Sequence, residues 1–364
     1  MVFLNAISLA QPTGLWQTVL FWLQGLVSNY AVAIIILTVF VRLCLVPFDF
    51  MNKYFSKKNA RIQKQMKPEL EKINAKYAGQ RDIINQKTAE LYRRHNFNVS
   101  GLCFTMILPM LLSIIVFTTV FSAVGTISRY ESANQFLEVR QAYFAEYDID
   151  VDSLLESETA MNRLAVVLDG KSDDEKATLL ANAQASALAK YEETKDSFLW
   201  IDNIWLPDAA WTNPIMPYKT FIDNSDISTD DITEDEYNLV LESADAETRN
   251  SNGFFILVVL AVVTSYLSTA VNGWVTKASA KKKGLNMNQV SLGNTGKILM
   301  WILPVVIGLI ILFYNAAFAI YSTMGSIVLL ITNPIMTLFI DMLEFEAIEK
   351  EEDRTMAAYD RKRK

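Results

Sequence analysis

Hydrophobic residues in this chain gather into long unbroken runs, and the runs are separated by strongly polar blocks. A helix needs about 20 mostly apolar residues to cross ~30 Å of hydrocarbon. Tyr30–Phe50, Gly101–Ile127, Phe254–Thr276 and Ile298–Leu343 meet that length. The last run is too long for one crossing, and Asn315-Ala316-Ala317 near its middle predicts a turn. The pattern therefore predicts an all-α membrane protein with five spans, over 29–50, 101–127, 254–276, 298–314 and 317–343.

The segments between the spans have their own periods. Leu15, Trp16, Val19, Leu20, Trp22, Leu23 and Leu26 recur mostly three or four apart, which predicts an interfacial amphipathic helix over 13–28. In 51–100, Ile62, Met66, Leu70, Ile73 and Tyr77 share one helical face, and Ile84, Thr88 and Leu91 share another after Gly79. That spacing predicts a helical hairpin turning at Ala78-Gly79-Gln80. Residues 128–253 form the largest polar region, with helices expected at about Arg129–Tyr147, Asp152–Leu168 and Asp173–Asp196. A loop occupies 277–297, and a polar tail 344–364. Met1–Ala10 is apolar but short and lacks a basic start, so insertion is expected to rest on the spans themselves.

Composition changes this picture only when read by block. The chain is 51% hydrophobic and 20% charged, with a net charge of −7 that suggests an acidic soluble protein if taken globally. The 51–100 block instead carries twelve Lys or Arg against four acids, and 277–297 carries five lysines and no acid. Residues 128–253 hold 27 acids against 9 bases. Lys and Arg in short loops mark the cytoplasmic side. The basic blocks follow the first and third spans, so five spans put both inside. The N-terminus and 128–253 then lie outside, and the C-terminal tail lies inside with its closing Arg361-Lys362-Arg363-Lys364.

Candidate chemistry is sparse. Cys44 and Cys103 both fall within predicted spans and read as small apolar side chains. His95 is the chain's one histidine, which argues against a histidine metal site or a His-based triad. The residue that stands out is Arg42, deep in the first span, with Thr38 one turn earlier on the same face. An arginine at that depth facing lipid costs from ~2.5 kcal/mol upward. No Asp or Glu lies in Gly101–Ile127, Phe254–Thr276 or Ile298–Ile340, and Asp49 lies nearer the interface. Two readings follow: a hydrated cavity awaiting an anionic guest, or a guanidinium snorkelling to cytoplasmic headgroups.

Several segments resemble one known family. Asn29–Thr38 followed by Val41-Arg42-Leu43 and Pro47 is similar to the first core span of the YidC/Oxa/Alb insertases. Lys67-Pro68-Glu69-Leu70 with Tyr77, and Leu91-Tyr92, resemble that family's cytoplasmic hairpin. Gly101-Leu102-Cys103 and Leu108-Pro109-Met110 resemble its second span. Phe198-Leu199-Trp200-Ile201-Asp202 and Pro207-Asp208 are similar to the segment before its third span. Met300, Leu303-Pro304 and Ala319-Ile320-Tyr321 resemble its last two. The likeness runs in order over most of Thr13–Leu343. The stretches Ser128–Lys195 and Ala209–Asn252 exceed what the family usually carries, and the turn at Asn315 lacks its proline and glycine.

The resemblance implies a bacterial cell-membrane protein that moves hydrophobic segments of nascent membrane proteins from cytoplasm into lipid. Arg42 would attract acidic residues flanking the guest span, Thr38 would keep the groove wet, and Tyr321 would belong to a greasy surface for the sliding helix. No covalent bond changes, so neither enzyme chemistry nor a cofactor is expected. Nascent chains are the expected partners, with the ribosome, a Sec translocon and anionic lipids as further candidates for the basic hairpin, and no DNA. One alternative is a small multi-pass transporter with Arg42 as its anion site, although no internal repeat is seen. Another is a membrane-anchored sensor, although the acids lack calcium-loop spacing.

Overall fold

The computed structural model describes residues 7, 9–94, 99–154, 158–225, 227–248, 251–282 and 293–363. His95, residues 283–292 of the lysine loop and Lys364 lie outside them, as do the side chains of Cys103, Met300 and Arg361–Arg363. The described chain is α-helical: α1 Leu15–Val27, α2 Tyr30–Lys76, α3 Arg81–Arg94, α4 Val99–Ala145, α5 Ala160–Leu168, α6 Asp173–Thr194, α7 Tyr218–Asn224, α8 Glu234–Glu247, α9 Ile256–Lys282, α10 Gly293–Phe313 and α11 Ala316–Arg363.

Among the described residues, four helical segments are long and apolar enough to cross a membrane: Tyr30–Asn59, Leu111–Ala145, Ile256–Ser279 and Ala316–Leu343. The described apolar part of α10, Ile302–Phe313, is shorter. These helices leave large apolar side chains bare, among them Phe40 and Leu43 on α2, Ile114 and Ile115 on α4, Val259 and Val263 on α9, and Ile335 and Leu338 on α11. In water such surfaces would be costly. In hydrocarbon they are matched by the solvent, while the helix satisfies its own backbone.

The chain divides into two compact units. The first gathers Met1–Leu37, Thr118–Leu260 and Gly308–Ser322, and the second Thr38–Phe117, Ala261–Ile307 and Thr323–Lys364.

In the first unit, α4 does not stop where its apolar run ends but continues into the acidic region. Along this extension Ala133, Phe136, Val139, Tyr143 and Phe144 recur at helical spacing and are all buried. They share a core with Ala183, Ala187 and Tyr191 of α6, Phe221 of α7, and Tyr237, Val240 and Ala244 of α8. Alanines one turn apart on α6 let it lie close to α8. Phe136 stacks on Tyr237 at 4.8 Å between ring centroids and tilts against Phe221 at 5.0 Å. Helix α6 starts on a capping box: the Ser172 hydroxyl accepts from the Glu175 N–H, while the Glu175 carboxylate accepts from the Ser172 N–H.

One ion pair is sealed inside this core. Arg140 Nε donates to Glu236 Oε1 at 2.5 Å, with side chains 5% and 1% exposed. Burial pushes the Glu236 carboxyl up, and the Arg140 guanidinium pulls against it. Removing one partner strands the other charge, which typically costs ~3–5 kcal/mol, whereas an apolar pair of similar volume is often neutral. Arg140→Ala should therefore lower the thermal midpoint of this unit by several degrees, and Arg140→Met/Glu236→Leu should recover most of it. Circular dichroism melts of the full chain in detergent read the difference.

The short segment 203–208 ties helix ends together within the same unit. The first N–H groups of a helix have no partner inside it. Here the N–H groups of Ala316 and Ala317, at the start of α11, donate to Leu206 C=O and Ile204 C=O at 2.8 and 2.9 Å. Asp208 does the same for α9, accepting from the Phe254 and Leu257 N–H groups at 2.8 and 2.6 Å. Asn252 clamps the segment itself, donating to the carbonyls of Asn203 and Pro207. Trp205 Nε1 donates to Asp196 at 2.6 Å, and burial holds that carboxyl up at about 6.

In the second unit, α2 runs on past its apolar stretch, and Met66 packs against Leu91 of α3 with Ile62, Leu70, Ile73 and Tyr92 around them. The chain passes from α2 to α3 through Gly79 at φ +87°, a backbone conformation that a Cβ disfavours.

Candidate functional site

Arg42 lies on α2 within the second unit, half-buried, and its Nε is buried with no hydrogen-bond partner among the described residues. The guanidinium rests against Gly325 of α11. A Cβ built at Gly325 would sit 3.1 Å from both Nε and Nη2 of Arg42 and 3.6 Å from its Cζ. The glycine thus lets a flat cation lie directly on a helix backbone. The Nε donor is left without a protein acceptor among the described residues, and leaving such a donor dry costs ~1–3 kcal/mol. Water or an anionic guest is the acceptor that removes that cost.

Thr38 shares the Arg42 face of α2 one turn earlier and is fully buried. Tyr321 belongs to the first unit, where it is 3% exposed and stacks on Phe318 at 6.1 Å. Of the three expected groove residues, then, the second unit holds Thr38 and Arg42 together.

The sequence pattern missed a polar cluster on the same unit. Lys53 and Lys57 count among the basic residues of the expected 51–100 hairpin, and they lie one turn apart on α2, which is continuous from the apolar stretch. Lys53 Nζ donates to Asn272 Oδ1 of α9 at 2.9 Å and to Asn333 C=O of α11 at 3.0 Å. Lys57 Nζ donates to Asp341 Oδ1 at 2.5 Å, Ser279 Oγ at 3.0 Å and Thr337 C=O at 3.3 Å. Ser279 Oγ in turn donates to Asp341 Oδ1 at 2.7 Å. Three helices are laced together by satisfied polar groups. The signal was present as a polar stripe, Asn333, Thr337 and Asp341, at four-residue spacing on α11.

Gly325 was also missed, since one glycine in an apolar run carries no pattern of its own. Its meaning appears only when the residue facing it is known.

A family model described as 60Kd inner membrane protein matches residues 22–342. Among curated relatives, the membrane protein insertase YidC of Anaeromyxobacter dehalogenans strain 2CP-C is 38% identical over 105 residues, which is 29% of this chain and 18% of that protein. The protein of the same description in Fusobacterium nucleatum is 37% identical over 90 residues, 24% of this chain and 42% of that one. Its counterpart in Caldanaerobacter subterraneus is 34% identical over 108 residues, 30% of this chain and 48% of that one. The matched stretch thus spans less than half of each of these relatives. No solved structure matches the chain.

Proposed function

The chain belongs to the 60Kd inner membrane protein family, the YidC/Oxa/Alb insertases, and from that membership we propose that it inserts hydrophobic segments of nascent proteins into a bacterial cell membrane. The observation that carries this reading is the buried, unpartnered Nε of Arg42, set against the backbone at Gly325 within helices of membrane-spanning length. An acidic residue flanking a guest span would supply the missing acceptor. The guest's apolar segment then gains free energy by entering lipid, at roughly 25 cal/mol per Å² of apolar surface removed from water. The groove's share is to lower the barrier for the polar flank, by offering a charge where hydrocarbon offers none. Thr38 lies beside this site. Tyr321 is assigned to the apolar path of the guest helix.

The five-span topology belongs to the same proposal, with α10 as the fourth crossing in chain order and the 51–100 and 277–297 blocks in the cytoplasm. The basic outer face of 51–100 suits anionic headgroups, ribosomal RNA or a Sec translocon. Single cysteines test the orientation. In intact cells, one replacing Lys64 should be shielded from an impermeant thiol reagent, and one replacing Asp174 should be labelled. Labelling at position 64 would invert the topology. Function is tested by rescue: the chain should restore growth to a bacterial strain depleted of its own insertase, and failure of the accumulated wild-type chain to do so would sink the reading.

A further inference from the structure

Within the first unit a cavity of about 410 Å3 opens beside the end of α10, and the insertase reading makes no use of it. Helix α4 presents Gly125 and Arg129 to it, one turn apart. Arg129 Nε reaches back to Gly125 C=O at 3.4 Å, a weak contact, and Arg129 makes no ion pair among the described residues. Tyr314 comes to the same place from the turn between α10 and α11. A Cβ on Gly125 would stand 2.6 Å from the Tyr314 hydroxyl, so the glycine is what admits it. Thr220 and Asn224 of α7 and Asn315 add hydroxyl and amide groups to the wall.

The charge of this lining is unusual for its surroundings. Residues 128–253 carry 27 acids against 9 bases. Yet among the described residues no carboxylate lines the cavity, and its one charged group is a cation. The rim is apolar on one side: Phe313 is 73% exposed, with Leu309 one turn earlier and Ile310 bare on the same end of α10. A cation with neutral donors above, and a bare apolar strip below, is complementary to an amphiphile with an anionic, hydrogen-bonding head.

We propose that this cavity holds the headgroup of an anionic, hydroxyl-bearing phospholipid of the phosphatidylglycerol type. The phosphodiester sits on the Arg129 guanidinium and the Tyr314 hydroxyl, as charge-assisted hydrogen bonds favour. The head's hydroxyls meet Thr220, Asn224 and Asn315, and an acyl chain covers Leu309 and Phe313. A zwitterionic head would bring an ammonium group to a lining with no carboxylate. Free phosphate shares the anion chemistry but leaves the apolar strip uncovered. The inference rests on the proposed function only for the place of α10 in the membrane.

The test uses the full chain in detergent, with bound lipid counted by native mass spectrometry. The wild-type chain should retain a phosphatidylglycerol molecule that Arg129→Gln binds roughly fivefold more weakly, the scale expected for one basic group at a lipid surface. Gly125→Val, which displaces Tyr314 while keeping Arg129, should show the same loss. Retention of phosphatidylcholine should be alike in all three. Arg42→Ala should hold the lipid as the wild type does, which separates this site from the insertase reading. Equal phosphatidylglycerol retention by wild type and both variants would overturn the proposal. Displacement of the lipid by inorganic phosphate at millimolar concentration would make it a free-anion site instead. Should Arg129→Gln fail to accumulate, Arg129→Lys with partial retention supports the assignment, and full retention in Gly125→Val refutes it.

Discussion

Arg42→Ala should strongly slow insertion of guests whose weakly apolar span is flanked by acidic residues, while strongly apolar guests still insert. Hydrogen bonds to a charged group are worth about 1.5–3 kcal/mol, so insertion of the acid-flanked guests should slow roughly ten- to a hundredfold. Arg42→Lys keeps the charge but not the planar fork, and should retain part of the activity. Neither change should reduce accumulation, because the Nε it removes is unpartnered. Gly325 supplies an independent arm. Its Cβ position lies 3.1 Å from two guanidinium nitrogens, a distance a flexible side chain relieves with a small shift. Gly325→Ala should therefore be mild, and Gly325→Leu should drive the guanidinium off α11 and reproduce the Arg42→Ala selectivity with the arginine still present. Pulse-labelled insertion of matched acid-flanked and neutral guests measures both. Loss of accumulation with full activity per molecule in Arg42→Ala would make the arginine a structural anchor, and an inert Gly325→Leu would detach its position from α11.

The parts of this molecule that the sequence made legible are those written in local chemistry. The stretch at about Asp173–Asp196 reads as a helix, and α6 runs over Asp173–Thr194. Gly79 sits where the apolar seam of 62–77 ends, and it takes the positive φ that the step from α2 to α3 needs. Asn315 falls at the break between α10 and α11. Arg42 stood out because it is a lone charge within the long apolar run Tyr30–Val46.

What stayed hidden was set by contacts far apart in the chain. Hydropathy ends a span where charge begins, but a helix's backbone bonds are indifferent to side-chain polarity. So α2 continues past Phe50 to Lys76, and α4 past Ile127 to Ala145. The helices expected in 51–100 and at Arg129–Tyr147 are thus continuous with the apolar runs before them rather than separate elements. Arg140 belongs to a buried pair with a glutamate 96 positions away, and nothing near either residue foretells it. The anchoring of α9 and α11 on 203–208 is equally nonlocal, since Asp208 looks like a loop carboxylate until Phe254 and Leu257 reach it.

The lacing of α2, α9 and α11 leads to the second large effect, and the asymmetry between its partners is the informative part. Lys57 is only 7% exposed in its side chain, and Asp341 is 23% exposed. Asp341→Ala leaves the buried ammonium with Ser279 Oγ and Thr337 C=O but no anion, a loss of about 3–5 kcal/mol for a broken buried pair. Lys57→Met removes the buried charge itself and leaves a carboxylate that can still accept from Ser279 and reach solvent. It should cost distinctly less. Lys57→Met/Asp341→Leu removes both charges, and should recover most of what Asp341→Ala loses. Because the pair is largely shielded, these differences should change little between low and high salt, unlike those of an exposed pair. Thermal unfolding of the full chain in detergent, followed across the three variants, measures the set. If Asp341→Ala proved no more harmful than Lys57→Met, the ammonium would have another route to charge compensation, and the lacing would be a minor contact rather than what fixes these three helices together.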